Sequence, residues 1–243
     1  MPEQLWFTAI LNRYFGGLAN ALLHAVGIQP VYPSTPINNT VAMEILVFLF
    51  LIVFFALVRL TLSVDRPNPL QHLVEILEDF MAGQAHEIIG HDYQRYVPFV
   101  MALGFFILTS NLLGLIPGFE SPTQNAVVPL GCALSTFFYY HFHGIRHHGA
   151  GYIKQFLGPT WALAPLMFVI EVVSHLARIL SLTVRLFANM YAGELVTMAF
   201  FSLVPIAVPV LFMSLHLGVA LIQTFIFVIL TVVYLGMAVS EEH

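Results

Sequence analysis

Arg185, Glu194, His216 and Gln223 are polar side chains set in apolar sequence near the end of this 243-residue chain. A guanidinium cannot shed its charge by losing a proton, because its pKa exceeds ~12. Insertion scales charge roughly 2.5–3.5 kcal/mol for it at the centre of a membrane helix. Arg185 is therefore a fixed cation, suited to attract a carboxylate arriving from a partner. Gln223 can hydrogen-bond it or hold its stem. Glu194 and His216 are the residue types that exchange protons near neutral pH, which suits a relay. At about 100° per helical residue, Glu171, His175, Arg178 and Arg185 share one face. Asn189 lies one turn beyond Arg185 on nearly that face, and Glu194 falls on the opposite side. In the last helix His216 and Gln223 share a face, with Tyr234 close to the same stripe. A relay on one side, interrupted by an immovable positive charge, describes a directional proton pathway.

The elements that must position these residues read as membrane helices. The chain is 59% hydrophobic and 9% charged, where soluble domains run nearer ~25% charged. Apolar runs of membrane length recur, and the alternating segments of a β-barrel do not appear. The reading is an all-α polytopic membrane protein with about five membrane-embedded helices. Residues 1–40 form an N-terminal interfacial segment and 41–243 one membrane domain. The expected spans are 41–62, 97–116, 126–142, 164–203 and 207–238. Thr40 is a candidate N-cap for the first, and Pro117-Gly118 should end the second. The acid-rich stretch from Asp65 to Tyr96 carries Leu70, Leu73, Ile76, Leu77 and Phe80 at helical spacing. It predicts an amphipathic helix in a cytoplasmic loop, its acids on a solvated face. Residues 164–203 would make a helix of roughly 60 Å, about twice the hydrocarbon thickness, so one long, strongly tilted helix is expected.

Arg59, Arg66 and Arg95 flank one loop and Arg146 and Lys154 lie in another, whereas the opposite side has only Arg13. The basic loops therefore face the cytoplasm, the N-terminus lies outside and the C-terminus inside. The N-terminus lacks the positive lead of a secretory signal. The single cysteine, Cys132, excludes an intramolecular disulfide, and the net charge of −5 offers no basic surface for nucleic acid.

Folding the last two helices as an antiparallel hairpin about Pro205 puts Arg185 level with Gln223 and Glu194 level with His216. Bland readings stand beside this one. Buried polar residues also glue helices together, an alternative that stays open for Gln223 and His175. Glu171 and Arg178 fit an interfacial charge pair as well as a pathway. Asn111, Gln124 and Asn125 fit capping or solvation of the outer span ends as well as a role in the path. Pro209 would kink the last helix and disturb the register.

A rival signal is the histidine-rich stretch 141–148, where His143, His147 and His148 match one box of membrane di-iron oxygenases and His86 and His91 loosely match another. Such a site needs a further paired box, and after His148 only His175, His216 and His243 remain. The favoured reading is a solvated histidine-rich loop, with no metal and no cofactor. A stand-alone ion transporter is a third option, but the inverted repeats that would support it are not found.

The run SLTVRLFANMYAGELV, with EVVSHLARIL before it and LIQTFIFVILTVVYL after it, strongly resembles subunit a of the membrane sector of F-type ATP synthases. The resemblance is dense from Glu171 to His243, weaker through NLLGLIPG (residues 111–118), and nearly absent over the first 40 residues. It implies a non-catalytic stator subunit in the bacterial inner membrane, working against a ring of c subunits and held with the b subunits of the peripheral stalk. Arg185 would face the ring carboxylates and separate two aqueous half-channels. Glu194, His216, Gln223 and Asn189 match the family's pathway positions. Ala188 departs where a glycine is commoner, Ile179 where a proline is common, and His175 stands where no histidine is expected.

Overall fold

The computed structural model describes residues 4–27, 29, 32–63, 67–116, 118–152, 163–203 and 207–239. Their regular structure is helical: α1 (Trp6–Ala25), α2 (Asn39–Leu60), α3 (Pro69–Ile89), α4 (Val97–Leu113), α5 (Val127–His148), α6 (Ala164–Leu203) and α7 (Ala207–Val239). Short 3₁₀ turns lie at Tyr93–Arg95, Pro122–Gln124 and Gly149–Gly151. Pro205, about which the hairpin is expected to turn, lies outside the described residues, as do Arg66, Pro117 and Lys154.

The helix α6 runs unbroken for 40 residues, about 60 Å at 1.5 Å per residue. Pro209 falls in the first turn of α7, where a missing N–H removes no intrahelical bond, so α7 starts at Ala207 without a break. The first of these helices has the expected bounds, 164–203, and the second runs one residue beyond the expected 207–238, to Val239. Others shift. The cap of α2 is Asn38, whose side chain accepts from the Val41 N–H at 2.8 Å, and Thr40 lies inside the helix. The apolar run of the second span continues to Ile116, but α4 ends at Leu113. The largest correction concerns α5. It runs to His148, so the histidine-rich stretch forms its last two turns and is not a loop. Gln124 and Asn125 precede α5 and do not extend it.

By length and composition α2, α6 and α7 can each cross a membrane, and α4 is a shorter apolar helix. In α3 the residues Gln71, Met81 and Ala85 are buried, while Glu78, Asp79 and Glu87 are exposed. Pro69 opens it at the first helical position, where its fixed φ suits a helix start.

Two apolar clusters hold α7 at the centre. At one end Met81 and Ala85 of α3, Val97 and Val100 of α4 and Tyr140 of α5 pack on Val228, Val232, Leu235 and Ala238 of α7. Toward the other end Leu103 and Ile107 of α4, Cys132 and Ala133 of α5, and Leu182, Leu186 and Met190 of α6 surround Ala220 and Phe227 of α7. Since α7 lies between α4, α5 and α6, any polar group it buries must find its partner on those helices.

Candidate functional site

The α6 helix buries Leu182, Leu186 and Met190 and exposes Leu180 and Val184. Arg185 sits at the edge between the two faces and is half-buried. Its Nη2 donates to the Ser181 hydroxyl, one turn back, at 3.1 Å. No carboxylate among the described residues lies within ion-pair distance of it.

Gln223 of α7 is 3% exposed. Its Oε1 accepts from Asn189 Nδ2 at 2.8 Å, so its partner on α6 is Asn189 and not Arg185. The physical reason is reach. Two short amides at this depth satisfy each other directly, whereas the long arginine folds back along its own helix.

One turn further, α6 and α7 touch closely. A Cβ at Gly193 would come within 2.9 Å of the His216 ring. His216 is buried, and its Nε2 has no hydrogen-bond partner among the described residues. The depth agrees with the hairpin register, since His216 lies against the residue beside Glu194. Glu194 and His216, expected at one level, do not hydrogen-bond to each other. Glu194 turns instead to a cavity of about 510 Å³ lined by Thr40, Gln124, Asn125, Phe187 and Tyr191. Gln124 and Asn125 are thus brought to Glu194, joining the start of α2 and the turn before α5 to α6. Nearby in the chain, Glu120 Oε1 accepts from Asn39 Nδ2 at 3.2 Å, tying the turn before α5 to the start of α2. Asn125 also has a capping role: its Oδ1 accepts from the Val127 N–H at 3.2 Å and its Nδ2 donates to Thr40 Oγ1 at 3.2 Å.

Asn111 does not solvate a span end. It is fully buried. Its Nδ2 donates to Thr224 Oγ1 at 3.2 Å, and its Oδ1 accepts from Thr123 Oγ1 at 2.6 Å. Thr123 Oγ1 also lies 2.7 Å from Ser121 Oγ, and the Ser121 hydroxyl donates to the Ser110 carbonyl. The network ties α4 and the Pro122 turn to α7 at the residue next to Gln223.

At the opposite end of α6 the expected Glu171–Arg178 pair is absent. Glu171 pairs with His175 at 3.3 Å, and Arg178 lies over the Tyr234 ring at 5.1 Å. The i,i+4 spacing favours the first contact and the planar guanidinium the second. His175 also meets Tyr140 of α5, Oη to Nδ1, at 2.8 Å.

Two histidines of the rival signal sit against tyrosine rings. His143 meets Tyr96 edge-on at 5.0 Å, and His86 meets Tyr93 at the same separation. Among the described residues no group of three His, Cys, Asp or Glu side chains stands close enough to hold a metal ion, so the oxygenase reading finds no geometry there.

Ser181, Tyr140, Thr224 and Glu120 were not singled out from the sequence. Only Ser181 carried a local signal, a hydroxyl four residues before the arginine.

Long apolar helices, the last two joined by the Asn189–Gln223 amide pair, define an all-α integral membrane protein. The profile of the ATP synthase A chain family matches residues 40–236. The chain is 55% identical, over the full length of both chains, to the ATP synthase subunit a of Koribacter versatilis strain Ellin345. It is 48% identical to the subunit of the same name from Solibacter usitatus strain Ellin6076, across 96% of this chain and 100% of that relative. With the one from Sulfurihydrogenibium sp. strain YO3AOP1 the identity is 44%, over 73% and 86% of the two chains. This chain belongs to the ATP synthase A chain family.

Proposed function

We propose that the chain is the proton-translocating, non-catalytic stator subunit of a bacterial F-type ATP synthase. It works in the inner membrane against a ring of c subunits, together with the b subunits of the peripheral stalk. Arg185 faces the ring carboxylates as the barrier between two half-channels. The observation that carries this reading is the arginine itself: a half-buried cation on an apolar face, with no carboxylate of its own among the described residues. A charge so expensive in a bilayer is supported where a partner supplies the counter-charge.

Protons enter by the cavity that holds Glu194, Gln124 and Asn125, with His216 beside it. The Asn189–Gln223 amide pair holds the helices in register next to Arg185. Asn111 braces α7 at the same level. Protons leave past Glu171, with His175, Arg178 and Tyr234 around it. The flow is driven by about 2.3 kcal/mol per charge per 100 mV of membrane potential. Five helices are embedded in the membrane, α6 and α7 strongly tilted, with α3 on the cytoplasmic side.

Replacing Arg185 with alanine in the reconstituted complex should abolish ATP synthesis driven by an imposed proton gradient while leaving the complex assembled. Synthesis at the normal rate by an assembled Arg185→Ala complex would remove the basis of this reading.

A further inference from the structure

His175 is 7% exposed, and both of its ring nitrogens face a polar side chain. Nε2 lies 3.3 Å from Glu171 Oε1, one turn back on α6. Nδ1 lies 2.8 Å from the hydroxyl of Tyr140 on α5. Tyr140 is itself 2% exposed, and its ring stacks on the imidazole with 5.8 Å between centroids and 22° between planes. Arg178 lies over the Tyr234 ring, which is 6.1 Å from the Tyr140 ring, and the His141 ring lies 4.7 Å from His175. This cluster belongs to the end of α6 away from the Glu194 cavity.

Chemistry fixes the order of donors. An ionised carboxylate only accepts, so a neutral His175 facing Glu171 across 3.3 Å carries its ring proton on Nε2. Nδ1 is then the acceptor, and the Tyr140 hydroxyl donates to it. In this line one nitrogen's partner sets the role of the other. The Glu171 side chain is 32% exposed, so one carboxylate oxygen is held while the group stays accessible.

We propose that His175, with its tautomer set by Tyr140, is a positioning residue that holds the Glu171 carboxylate for proton uptake and release. The proposal rests on the reading of Glu171 as a group of the exit path. A proton arriving at Oε2 makes Glu171 neutral, and Oε1 goes on accepting from His175 Nε2–H as a carbonyl oxygen. The same proton then leaves from Oε2 to water. His175 is neutral throughout and neither gains nor loses a proton.

The test uses the whole complex in proteoliposomes, with ATP synthesis driven by an imposed proton gradient. Tyr140→Phe removes one hydroxyl and keeps the ring. It should slow synthesis roughly threefold to tenfold, the value of one buried hydrogen bond, with the complex assembled. His175→Leu should slow it further, and His175→Gln should recover part of that loss. In a Glu171→Gln background, Tyr140→Phe should cause no additional loss, because there is no carboxylate left to position. A purely structural role for Tyr140 would instead multiply its loss onto that background, which would overturn the proposal. So would Tyr140→Phe working at the normal rate, or Glu171→Gln doing so in a complex that Arg185→Ala inactivates. An active Arg185→Ala complex would instead overturn the pathway reading on which the proposal rests.

Discussion

At Gly193 one hydrogen atom decides how two helices meet. A Cβ there would stand 2.9 Å from both Cε1 and Nε2 of His216, and the ring is buried. Gly193→Ala must therefore push the ring aside or part α6 from α7. Overpacking of this kind costs about 1–3 kcal/mol. The variant should unfold at a lower denaturant concentration than the parent and lose proton-driven synthesis. Unchanged stability would mean that the two helices are not held as closely as this contact requires. The same contact shows what residue-level reading of a sequence can reach. The rise per residue fixes depth, so His216 was placed beside Glu194 from numbers alone. Which side chains bond at that depth depends on their length and rotamer. Arg185 bends back to Ser181, Gln223 takes Asn189, and Glu194 turns to its cavity. None of those choices is written in spacing.

The elements were legible in proportion to how far hydrophobicity alone defines them. The long apolar runs of α6 and α7 gave bounds that agree, to within one residue, with Ala164–Leu203 and Ala207–Val239. Ends governed by local hydrogen bonds were harder. Asn38, Asn39 and Thr40 are all capping types, and only geometry selects Asn38. The polar end of α5 reads as a loop by composition. It stays helical because His143 packs among Tyr96 and Tyr139 and Gly144 lies against Tyr152. The bracing of α7 by Asn111 was hidden for another reason: its partners Thr123 and Thr224 are far apart in sequence. Asn111→Leu would leave both hydroxyls without the amide and should destabilise the protein by about 1–3 kcal/mol. Thr224→Val should cost less, because Asn111 keeps its bond to Thr123. Denaturation of the purified variants, followed by circular dichroism, measures both. Equal losses would contradict the network as described.

For the whole molecule, the decisive property is which end faces which side of the membrane. Of the two polar ends, one carries the acids of α3, with Glu78 exposed, and the Glu171–His175–Tyr140 cluster. The other carries the Glu194 cavity and the turn before α5, where Ala126 is exposed and lines the cavity. With the tilt proposed for α6, a helix of about 60 Å against a hydrocarbon layer of about 30 Å, its two ends would reach opposite surfaces. In the orientation proposed above, the excess of basic residues beside α3 and α5 places that end on the cytoplasmic side. The native thiol, Cys132, is buried at 7% exposure and can be replaced by alanine to give a thiol-free background. In that background Glu78→Cys should react with a membrane-impermeant maleimide in inside-out vesicles only. Ala126→Cys should react in right-side-out vesicles only, and its reaction reports that water reaches the cavity beside Glu194. Labelling of both positions from one side would break the link between the two half-channels and the two ends of α6, and with it the divided path. Labelling from opposite sides, but each from the wrong one, would keep the path and reverse the chain in the membrane.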